Sequence, residues 1–496
     1  MMLGITTDSI ARAIQAPYFG DSTTISGVAI DSRELQKGEL YVALRGQRAD
    51  GHVFLEDVAA KGAAAAIVEA RNPELALAQI EVADSQIALG KAAAHNRSQF
   101  HGQVVAITGS AGKTSCKNML AAILSQLGTV CATRGNFNNE IGLPLTLSRL
   151  SDTDTYAVLE MGAAKTGDIA YLTELARPDI SVITNVAEAH LGGFGSLDNT
   201  AAAKAEIYQS LREGGLAVIN RDDDYFDYWV KLVEARPGVR WIDFSMSASD
   251  AAVFASAVNN SPEGMVFDAT VTLSGSTQTF SVTLPLLGEH NVANALPAIA
   301  IAMVLGAKPS QVQFALGSVE AEAGRLQVLK GRNGLQLIDD SYNSNPTAAA
   351  ASLEVLAGTL LENTMPISNS TVADESTITG RQTVAVLGEM GELGDGSADL
   401  HWQLGATAAQ LGIEHLFAVG ESAEHVVAGY SSQGHADQLR AQAFSELGAI
   451  ADRLLEDRFR NAVVLVKGSR FMQLDQLVDL LVLKDEIELN PSEGDK

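Results

Sequence analysis

Short apolar strand patterns alternate with helical patterns through most of this 496-residue chain. Strands that alternate with helices form βαβ units, and such units build a parallel sheet with helices on both faces. The pattern therefore predicts an α/β protein. In the middle of the chain, helical segments separate the clearest strands, which lie at residues 104–107, 156–159, 180–184 and 216–219.

Chain length and changes of pattern divide the sequence into three predicted domains, since a domain usually has roughly 150 residues. Residues 1–82 contain short strands, turns and one Ala-rich helix, which predicts a small mixed α/β domain. Residues 83–318 carry the alternating block and predict a central domain with a parallel sheet. Residues 319–496 carry a further alternating block, which predicts a Rossmann-like α/β domain, and its Ser- and Thr-rich segment 363–381 is typical of an exposed insertion.

Charge and cysteine content limit the compartment and the partners of the chain. The 60 acidic residues outnumber the 34 lysines and arginines, and the net charge of −26 repels the phosphates of nucleic acids and anionic lipids. Two cysteines do not make a disulfide framework, which suits a reducing compartment. The N-terminus lacks the pattern of a signal peptide, and no run of roughly 18 apolar residues occurs. We therefore expect a cytoplasmic protein without membrane insertion or a nucleic-acid partner.

The most specific local motif is the segment TGSAGKTS, which joins a buried strand to a helix. Its glycines allow backbone N–H groups to turn inward around phosphate oxygens, and the helix N-terminus adds partial positive charge. Lys113 can bridge the outer phosphates of a nucleotide, and the Thr114 hydroxyl can hold Mg²⁺. The motif departs from the common GxxxxGK[ST] form because Ile107 occupies the first glycine position, and a glycine-rich turn without a ligand is the alternative. The predicted nucleotide-binding residues are Thr108, Gly109, Ser110, Ala111, Gly112, Lys113, Thr114 and Ser115.

Two further residues follow strands that should end beside this loop. Glu160 follows the strand at 156–159, and His190 follows the strand at 180–184 after a short loop. Ligands of open parallel sheets bind at the carboxyl ends of the strands, so we expect both side chains near the phosphate loop. A carboxylate suits Mg²⁺, whereas an imidazole is a less usual ligand for it. The alternatives are a carboxylate that holds no metal and a histidine that bonds only to a backbone carbonyl.

Ten segments of the chain occur in an order that resembles the Mur ligases, and they extend over nearly the whole sequence. They are TGSAGKTS, RGNFNNEIGLP, LEMGA, NVAEAHLGGFGS, AKAEI, GEHNVANALPAIA, GRLQ, DDSYNSNP, GEMGELG and VKGSR. Two of them, DSYNSNP and GEMGELG, are similar to the branch of this family that acts on D-alanyl-D-alanine. Ten motifs in register are far more specific than any single motif after the phosphate loop.

The resemblance implies a three-domain ATP-dependent ligase whose central domain is a P-loop ATPase. Its partners would be UDP-MurNAc-tripeptide and D-alanyl-D-alanine, and its cofactors ATP and one or two Mg²⁺ ions. The tripeptide carboxylate would become an acyl phosphate, which the dipeptide amine then attacks to give UDP-MurNAc-pentapeptide, ADP and phosphate. Such an enzyme would serve peptidoglycan synthesis, and hence cell shape and division, and we expect it to be a monomer.

The same resemblance implies roles for residues around the nucleotide. Lys113 and Thr114 would hold the ATP phosphates and Mg²⁺, and Thr114, Glu160 and His190 would be the metal ligands. Arg325, near the junction of the second and third domains, would reach the phosphates. The asparagines in these motifs are also good turn and cap residues, which is the alternative interpretation for them. The remaining nucleotide-binding residues implied are Asn138 and Asn139 near the γ-phosphate, Asn291 and Asn294 on the adenine and ribose side, and Asp340, Tyr342, Asn343 and Asn345 from the third domain.

Lys204, in AAAKAEI, matches a lysine that carries a carbamate in several members of the family. A carbamate converts the cation into an anion that can bridge a second Mg²⁺. An unmodified Lys204, bonded to the substrate or to a carboxylate, is the default interpretation. With Lys113, Glu160, His190 and Arg325 it completes the predicted catalytic set.

The segments DSR and GQRADGH near the start resemble the domain that binds the UDP precursor in this family. The resemblance implies a substrate-binding role for residues of both segments. The residues concerned are Asp31, Ser32, Arg33, Asp50, Gly51 and His52.

Three other functions are compatible with a phosphate loop. Addition of the third amino acid to the same precursor is one, but the ligases that add meso-diaminopimelate carry a DNPR motif that this sequence lacks. Folylpolyglutamate synthase shares the loop, yet DSR and GQRADGH fit that enzyme poorly. A nucleotide-sensing protein without ligase activity has less need of the set Glu160, His190 and Arg325.

Overall fold

The computed structural model describes residues 2–46, 49–187, 194–261, 264–362, 381–434 and 440–483. The chain forms two compact units. The first comprises Met1–Ala187, Gly193–Pro285 and Glu289–Val319, and the second comprises Glu188–Gly192, Leu286–Gly288 and Glu320–Lys496. Among the described residues, no helix combines the length and the apolar character needed to cross a membrane.

The first unit begins with a five-stranded sheet in the order β1-β5-β4-β3-β2, in which only β1 runs antiparallel to its neighbour. Side chains alternate between its two faces, so that Leu40 and Val42 lie in one core and Tyr41 in the other. The strands are β1 (Tyr18–Phe19), β2 (Val28–Ala29), β3 (Leu40–Val42), β4 (Ala65–Val68) and β5 (Gln79–Glu81), and the helices are α1 (Thr7–Ile14), α2 (Leu55–Ala60) and α3 (Ser85–Ser98).

A nine-stranded sheet forms the rest of the first unit, in the order β14-β13-β12-β11-β10-β9-β6-β8-β7. Its strands are β6 (Gln103–Thr108), β7 (Val130–Ala132), β8 (Tyr156–Glu160), β9 (Ile180–Ile183), β10 (Leu216–Asn220), β11 (Arg240–Ser245), β12 (Val253–Ser261), β13 (Gly264–Leu273) and β14 (Ser276–Leu284). Its helices are α4 (Lys113–Leu124), α5 (Gly142–Ser148), α6 (Asp168–Ala176), α7 (Leu197–Gln209), α8 (Phe226–Glu234), α9 (Glu289–Val304) and α10 (Pro309–Leu316).

The position of β6 determines where a ligand can bind. It lies between β8 and β9 and is parallel to both, so that the chain connections diverge on either side of it. A crevice forms at the carboxyl ends of strands where the order reverses in this way. The turns that follow β6, β8 and β9 therefore share one edge of the sheet.

Three long antiparallel strands extend this sheet beyond the parallel part that was predicted. Buried Phe267 and Val271 alternate with more exposed residues along β13, and β13 turns into β14 through Ser274 and Gly275 at φ +51° and +78°. Positive φ at both central residues is typical of a type I′ hairpin turn. The parallel sheet is confirmed from β6 to β11, and the hairpin region was not predicted, although its alternating pattern was a usable signal.

The second unit contains a six-stranded sheet in the order β15-β16-β20-β17-β18-β19, parallel except for β15. Along β20, Leu465 lies in one core, and Val464 and Val466 lie in the other, since helices cover both faces. The strands are β15 (Gln327–Lys330), β16 (Gln336–Asp340), β17 (Thr383–Leu387), β18 (His415–Val419), β19 (Ala441–Phe444) and β20 (Val463–Lys467). The helices are α11 (Pro346–Glu362), α12 (Ser397–Gln410), α13 (Ala423–Ser431), α14 (Leu447–Leu454) and α15 (Asp475–Leu481).

Two glycines let α12 and α13 approach each other closely. A Cβ atom on Gly405 would lie 1.9 Å from the Val426 carbonyl oxygen, and one on Gly429 would lie 1.9 Å from that of Trp402. Only glycine fits at either contact.

The predicted α/β fold is confirmed in all three sheets. The domain boundaries at 82 and 318 stay predictions, because the first two sheets belong to one compact unit. Residues 363–380 of the predicted insertion lie outside the described part of the chain.

Candidate functional site

The predicted phosphate loop occupies the turn between β6 and α4. Gly109 and Gly112 adopt φ +154° and +77°. A Cβ atom on Gly109 would lie 1.8 Å from Thr184 Oγ1, and one on Gly112 would lie 1.9 Å from Asn294 Oδ1. Any larger residue would collide with these neighbours, so the loop requires glycine at both positions.

Residues that follow β9 hold the loop in place. Asn185 accepts a hydrogen bond from Ala111 N at 3.0 Å and donates one to Ala111 O at 3.2 Å. Thr184 Oγ1 donates to Ala111 O at 2.6 Å, and Ser110 N donates to the carbonyl oxygen of Asn185 at 2.9 Å. Neither Thr184 nor Asn185 was predicted as a site residue, although the sequence places both directly after a predicted strand.

Lys113, the first residue of α4, folds back over this loop. Its Nζ donates hydrogen bonds to the carbonyl oxygens of Gly109 at 2.7 Å and Ser110 at 3.4 Å. The ammonium group thus lies inside the turn, beside the N-terminus of a helix. That position brings the positive charge of the side chain to the place where a phosphate would be bound.

Glu160, the last residue of β8, meets Thr114 of α4 as predicted. Glu160 Oε2 accepts a hydrogen bond from Thr114 Oγ1 at 2.9 Å, and Oε1 accepts one from Asn138 Nδ2 at 2.8 Å. The Glu160 backbone N–H donates to Thr133 Oγ1 at 3.0 Å. Glu160 is only 2% exposed and Thr114 only 5%, so the carboxylate and the hydroxyl form a buried pair of hard oxygen donors. Such donors suit Mg²⁺.

The remaining metal and γ-phosphate predictions have different outcomes. His190 lies outside the described residues. Within the described ranges, no group of three or more His, Cys, Asp and Glu side chains is arranged to hold a metal ion. Asn139 Oδ1 accepts hydrogen bonds from Gly142 N at 2.9 Å and Ile141 N at 3.3 Å, which are the cap contacts of the alternative interpretation.

Lys204 is a buried lysine on α7, 3% exposed. Burial, and then the positive charge of Lys113, lower the pKa of Lys204 from 10.5 to about 7. Among the residues that the structure describes, none accepts a hydrogen bond from its Nζ. The uncharged amine therefore forms at a much lower pH at Lys204 than at an exposed lysine.

Asn291 and Asn294 lie in the first turns of α9, which packs against α4. Both side chains are buried. Asn294 contacts the phosphate loop at Gly112, whereas Asn291 lies 3.4 Å from His290 Nε2 through its amide nitrogen. The structure therefore brings Asn294 to the predicted nucleotide site and places Asn291 one turn from it.

The residues predicted from the third domain form a cluster of their own in the second unit. Asp340 Oδ2 accepts hydrogen bonds from Lys467 Nζ at 2.5 Å and Ser352 Oγ at 2.6 Å, and Lys467 also donates to Asn343 O at 3.1 Å. Lys467 is 3% exposed, so this is a buried ion pair that holds the DSYNS loop. Lys467 and Ser352 were not predicted, although Lys467 lies in the VKGSR motif.

Arg325 and Tyr342 stack on each other in the same unit, and the guanidinium carbon lies 4.3 Å from the ring centre. Arg325 Nε also lies 3.1 Å from Glu322 Oε2. Asn345 Oδ1 accepts a hydrogen bond from Ala348 N at 2.8 Å and so caps the start of α11. The approach of these residues to the nucleotide stays a prediction.

The predicted substrate residues of the first sheet form two small networks. Arg33 donates to Asp31 at 2.9 Å, which holds the pKa of Asp31 at about 2. His52 Nδ1 lies 2.6 Å from Asp50 Oδ1, and His52 Nε2 accepts a hydrogen bond from Glu69 N at 2.9 Å. Gly51 O accepts from the Tyr41 hydroxyl, and Ser32 O accepts from Lys61 Nζ.

The two networks lie near each other. Burial raises the pKa of Tyr41 to about 12, and the negative charges of Asp31 and Asp50 add to the rise. Both predicted segments therefore flank one tyrosine, Tyr41.

Two family models match the chain. The model of the Mur ligase middle domain matches residues 107–302, and the model described as the catalytic domain of the Mur ligase family matches residues 24–97. The first of these spans the phosphate loop, Glu160, Lys204 and Asn294.

Individual relatives match almost end to end. The UDP-N-acetylmuramoyl-tripeptide–D-alanyl-D-alanine ligase of Escherichia coli (strain K12) is 36% identical over 482 residues, which cover 97% of this chain and 99% of that protein. The crystal structure of MurF from Acinetobacter baumannii is similar with a TM-score of 0.81 at 33% identity, covering 95% of this chain and 97% of the other. The MurF ligase of Thermotoga maritima, solved in complex with ADP, has a TM-score of 0.76 at 27% identity and covers 92% and 96%.

Proposed function

This chain belongs to the Mur ligase family, and we propose that it joins D-alanyl-D-alanine to UDP-N-acetylmuramoyl-tripeptide with hydrolysis of ATP. The observation that carries the proposal is the full-length similarity to ligases named for this reaction. The buried contact between Thr114 and Glu160 beside the phosphate loop supports it independently, because phosphoryl transfer needs such oxygen donors. The product is UDP-MurNAc-pentapeptide, a precursor of peptidoglycan.

Activation by ATP explains why a ligase needs this site. A carboxylate is a poor electrophile, so it does not condense with an amine at a useful rate. The tripeptide carboxylate attacks the γ-phosphate of ATP, an acyl phosphate forms and ADP leaves. The amine of D-alanyl-D-alanine attacks the acyl carbon, and the tetrahedral intermediate collapses with release of phosphate.

The phosphate loop and Lys113 bind and orient the triphosphate. The N-terminus of α4, which follows Gly112, would face the phosphates, and Lys113 would exchange its bonds to loop carbonyls for bonds to phosphate oxygens. The hard oxygens of Thr114 and Glu160 fit Mg²⁺, and His190 would complete the metal ligands. Bound Mg²⁺ supplies neutralisation of the negative charge that develops on the transferred phosphoryl group.

The family resemblance also implies nucleotide-binding roles for residues of the second unit. Arg325 would neutralise phosphate charge, and the loop with Asp340, Tyr342, Asn343 and Asn345 would bind the nucleotide. An acyl phosphate hydrolyses when water reaches it, so exclusion of water would protect the intermediate until the amine attacks. The buried pair Asp340–Lys467 supports a binding role because it keeps this loop in one conformation.

Lys204 is the residue at which a carbamate would form. An uncharged amine attacks CO₂, giving the N-carboxylate and one proton, and the lowered pKa of Lys204 makes that amine available near neutral pH. The carbamate would supply a second anionic group for a second Mg²⁺. Bicarbonate should then raise the activity of protein prepared without CO₂, and the Lys204→Arg variant should show no such response.

The networks around Tyr41 would bind the UDP part of the precursor. One network contains Asp31, Ser32 and Arg33, and the other contains Asp50, Gly51 and His52. We also propose a cytoplasmic location, since the precursor carries a nucleotide made inside the cell. A monomeric state is part of the same proposal.

The test is ADP release by the pure protein with UDP-MurNAc-tripeptide, with and without D-alanyl-D-alanine, together with detection of the pentapeptide product by mass. We expect release that depends on both substrates and is lost in the Lys113→Ala variant. Release with the UDP-MurNAc-dipeptide and a free diamino acid would indicate the preceding step instead. Release with a folate and glutamate would indicate folylpolyglutamate synthase, and nucleotide binding without any turnover would indicate a sensor.

A further inference from the structure

A cavity of about 540 Å³ opens at the amino-terminal edge of the nine-stranded sheet. Its wall includes the first residues of three strands whose other ends carry the phosphate-loop site, Gln103 of β6, Tyr156 of β8 and Ile180 of β9. Strands rise about 3.3 Å per residue, which separates the two edges by roughly 13–20 Å. A small ligand in this cavity would therefore not touch the nucleotide.

Three basic side chains line the cavity, namely Arg212, Arg240 and His101. Arg212 Nε lies 2.5 Å from Asp179 Oδ1, and no described residue accepts a hydrogen bond from its two terminal nitrogens. The side chains of Arg240 and His101 likewise have no partner within the described ranges. These donors are available to a ligand.

Asp179 forms the back of the cavity and is only 5% exposed. Its Oδ2 accepts a hydrogen bond from Val104 N at 2.8 Å. Its Oδ1 is buried and pairs with the guanidinium of Arg212. Asp179 therefore fixes Arg212 at the wall of the cavity and leaves the two terminal nitrogens of the guanidinium for a ligand.

The local charge has the opposite sign to that of the whole chain. The net charge of the protein is −26, yet two arginines and one carboxylate line this cavity. Burial lowers the pKa of Arg97, and the positive charges of Arg212 and Arg177 lower it further, while Asp179 opposes them. A cationic pocket on an acidic protein selects anions.

We propose that this cavity binds a small phosphate ester of the sugar-phosphate class. The guanidinium groups of Arg212 and Arg240 and the His101 imidazole hold the phosphate, since planar guanidinium matches the geometry of phosphate oxygens. Asp179 orients Arg212 for this contact through their ion pair. Among the remaining lining residues, Leu216, Val304 and Leu305 provide an apolar wall for the carbon skeleton.

Isothermal titration calorimetry with glucose 6-phosphate tests the proposal, with the nucleotide site of the full chain saturated by Mg²⁺ and ADP. We expect saturable binding to the native protein that weakens at least about tenfold in the Arg212→Gln/Arg240→Gln variant. The Arg332→Gln/Arg458→Gln variant removes the same charge from the second unit and should bind as tightly as the native protein. No binding to the native protein, or equal loss in both variants, would overturn the proposal.

Two further measurements test the phosphate contacts and the carbon-skeleton contacts separately. Inorganic phosphate and glucose should each bind at least about tenfold more weakly than glucose 6-phosphate, and equal binding of inorganic phosphate would contradict the contact between the carbon skeleton and the apolar wall. The His101→Gln/Arg240→Gln variant leaves the Arg212–Asp179 pair intact and should also lose affinity. Unchanged affinity in that variant would contradict the phosphate contacts even if the first variant proved unstable.

Discussion

At the scale of single residues, the candidate site depends on side chains that other residues orient in advance. Both carboxylate oxygens of Glu160 already accept hydrogen bonds, from Thr114 and Asn138, and its own N–H donates to Thr133. Hydrogen bonds to both carboxylate oxygens and from the backbone fix the orientation of Glu160. The side chain therefore does not have to reorganise when charge develops at the phosphoryl group. Preorganisation of this kind is a large part of electrostatic catalysis.

Replacing Glu160 with glutamine should abolish most of the activity while the fold persists. Glutamine has the same shape, but it lacks the negative charge that a metal ligand needs, so we expect ADP release to fall by about 100-fold or more. The control is Glu206→Gln, because Glu206 is also buried and accepts hydrogen bonds from Gly167 N and Ala170 N at the start of α6. That variant should lower the melting temperature more than the turnover. Native-like turnover in Glu160→Gln would contradict the site.

The Gly112→Ala variant should lose affinity for ATP. The added methyl group would lie 1.9 Å from Asn294 Oδ1, in a backbone conformation with φ +77°. Gly275→Ala is the matched control, because Gly275 has φ +78° and open space around its Cβ position. Both variants carry the backbone strain of roughly 1–2 kcal/mol, and only Gly112→Ala also displaces Asn294. Equal ATP affinities measured by calorimetry would count against the role of the loop.

Lys204 should make the stability of the nucleotide-free protein depend on pH. Its pKa is about 7 in the folded chain and 10.5 when unperturbed, so between these values the unfolded chain binds more protons and stability rises with pH. Below about pH 7 both forms carry the charge, and folding bears the full cost of burying it.

The Lys204→Met variant cannot ionise at this position. Its melting temperature, measured without CO₂, should therefore exceed that of the native protein most at about pH 6.5, and the difference should shrink towards about pH 10. Lys231→Met replaces an exposed lysine of α8 and should show no such trend. A constant difference for Lys204→Met would be inconsistent with the lowered pKa.

The sequence predicted the residues whose side chains would contact the metal or the phosphates. It did not predict the residues that only hold the phosphate loop in place. Glu160 and Thr114 were predictable, because a strand-end carboxylate and a loop hydroxyl have few other uses together. Thr184 and Asn185 hold the loop through ordinary polar contacts made across 73 and 74 positions of sequence, and nothing local in the sequence marks such a contact. Asn139 is the opposite case, a residue that was predicted near the γ-phosphate. In the structure its amide oxygen accepts a hydrogen bond from the first residue of a helix, as any asparagine can.

At the scale of helices and strands, the buried parallel strands were the predictable part of the fold. Continuous apolar runs such as those of β6 and β20 have one common explanation, a sheet covered on both faces. The hairpin of β13 and β14 has the alternating pattern of a sheet with one exposed face. Polar threonines along it, including the pairs Thr270–Thr279 and Thr272–Thr277, dilute the apolar pattern by which strands are recognised.

The contact between α12 and α13 should be sensitive to a single methyl group. In Gly405→Ala the new Cβ would lie 1.9 Å from the Val426 carbonyl oxygen, so the helices must separate, and we expect a loss of about 2 kcal/mol in the free energy of unfolding. Gly448→Ala is the same substitution on α14 with open space around it, and it should stabilise by up to about 1 kcal/mol. Denaturant unfolding measures both, and a neutral Gly405→Ala would show that the helices are not in tight contact.

At the scale of the whole molecule, each compact unit contains its own cores. Separate clusters of buried residues lie on the two faces of the sheet in the second unit, and others fill the first unit. A unit with a complete core can unfold cooperatively by itself. Chain length and pattern predicted three domains, but they carry no information on how the first two sheets combine into one compact unit.

Calorimetry should resolve two unfolding transitions in the nucleotide-free protein. Gly405→Ala should lower only the transition of the second unit, and Gly112→Ala only that of the first, because each substitution lies within one unit. A single transition that shifts as a whole in both variants would mean that the two units unfold together.

The anchoring of Ala111 by Thr184 and Asn185 also limits how the gene can be recombined. A hybrid whose junction lies between positions 111 and 184 inherits its phosphate loop from one parent and the residues that tie it down from the other. Gene shuffling that takes residues 103–187 from a single parent keeps the loop and its anchoring residues matched. When a junction falls inside this segment, we expect more hybrids that fold well but have a misplaced phosphate loop.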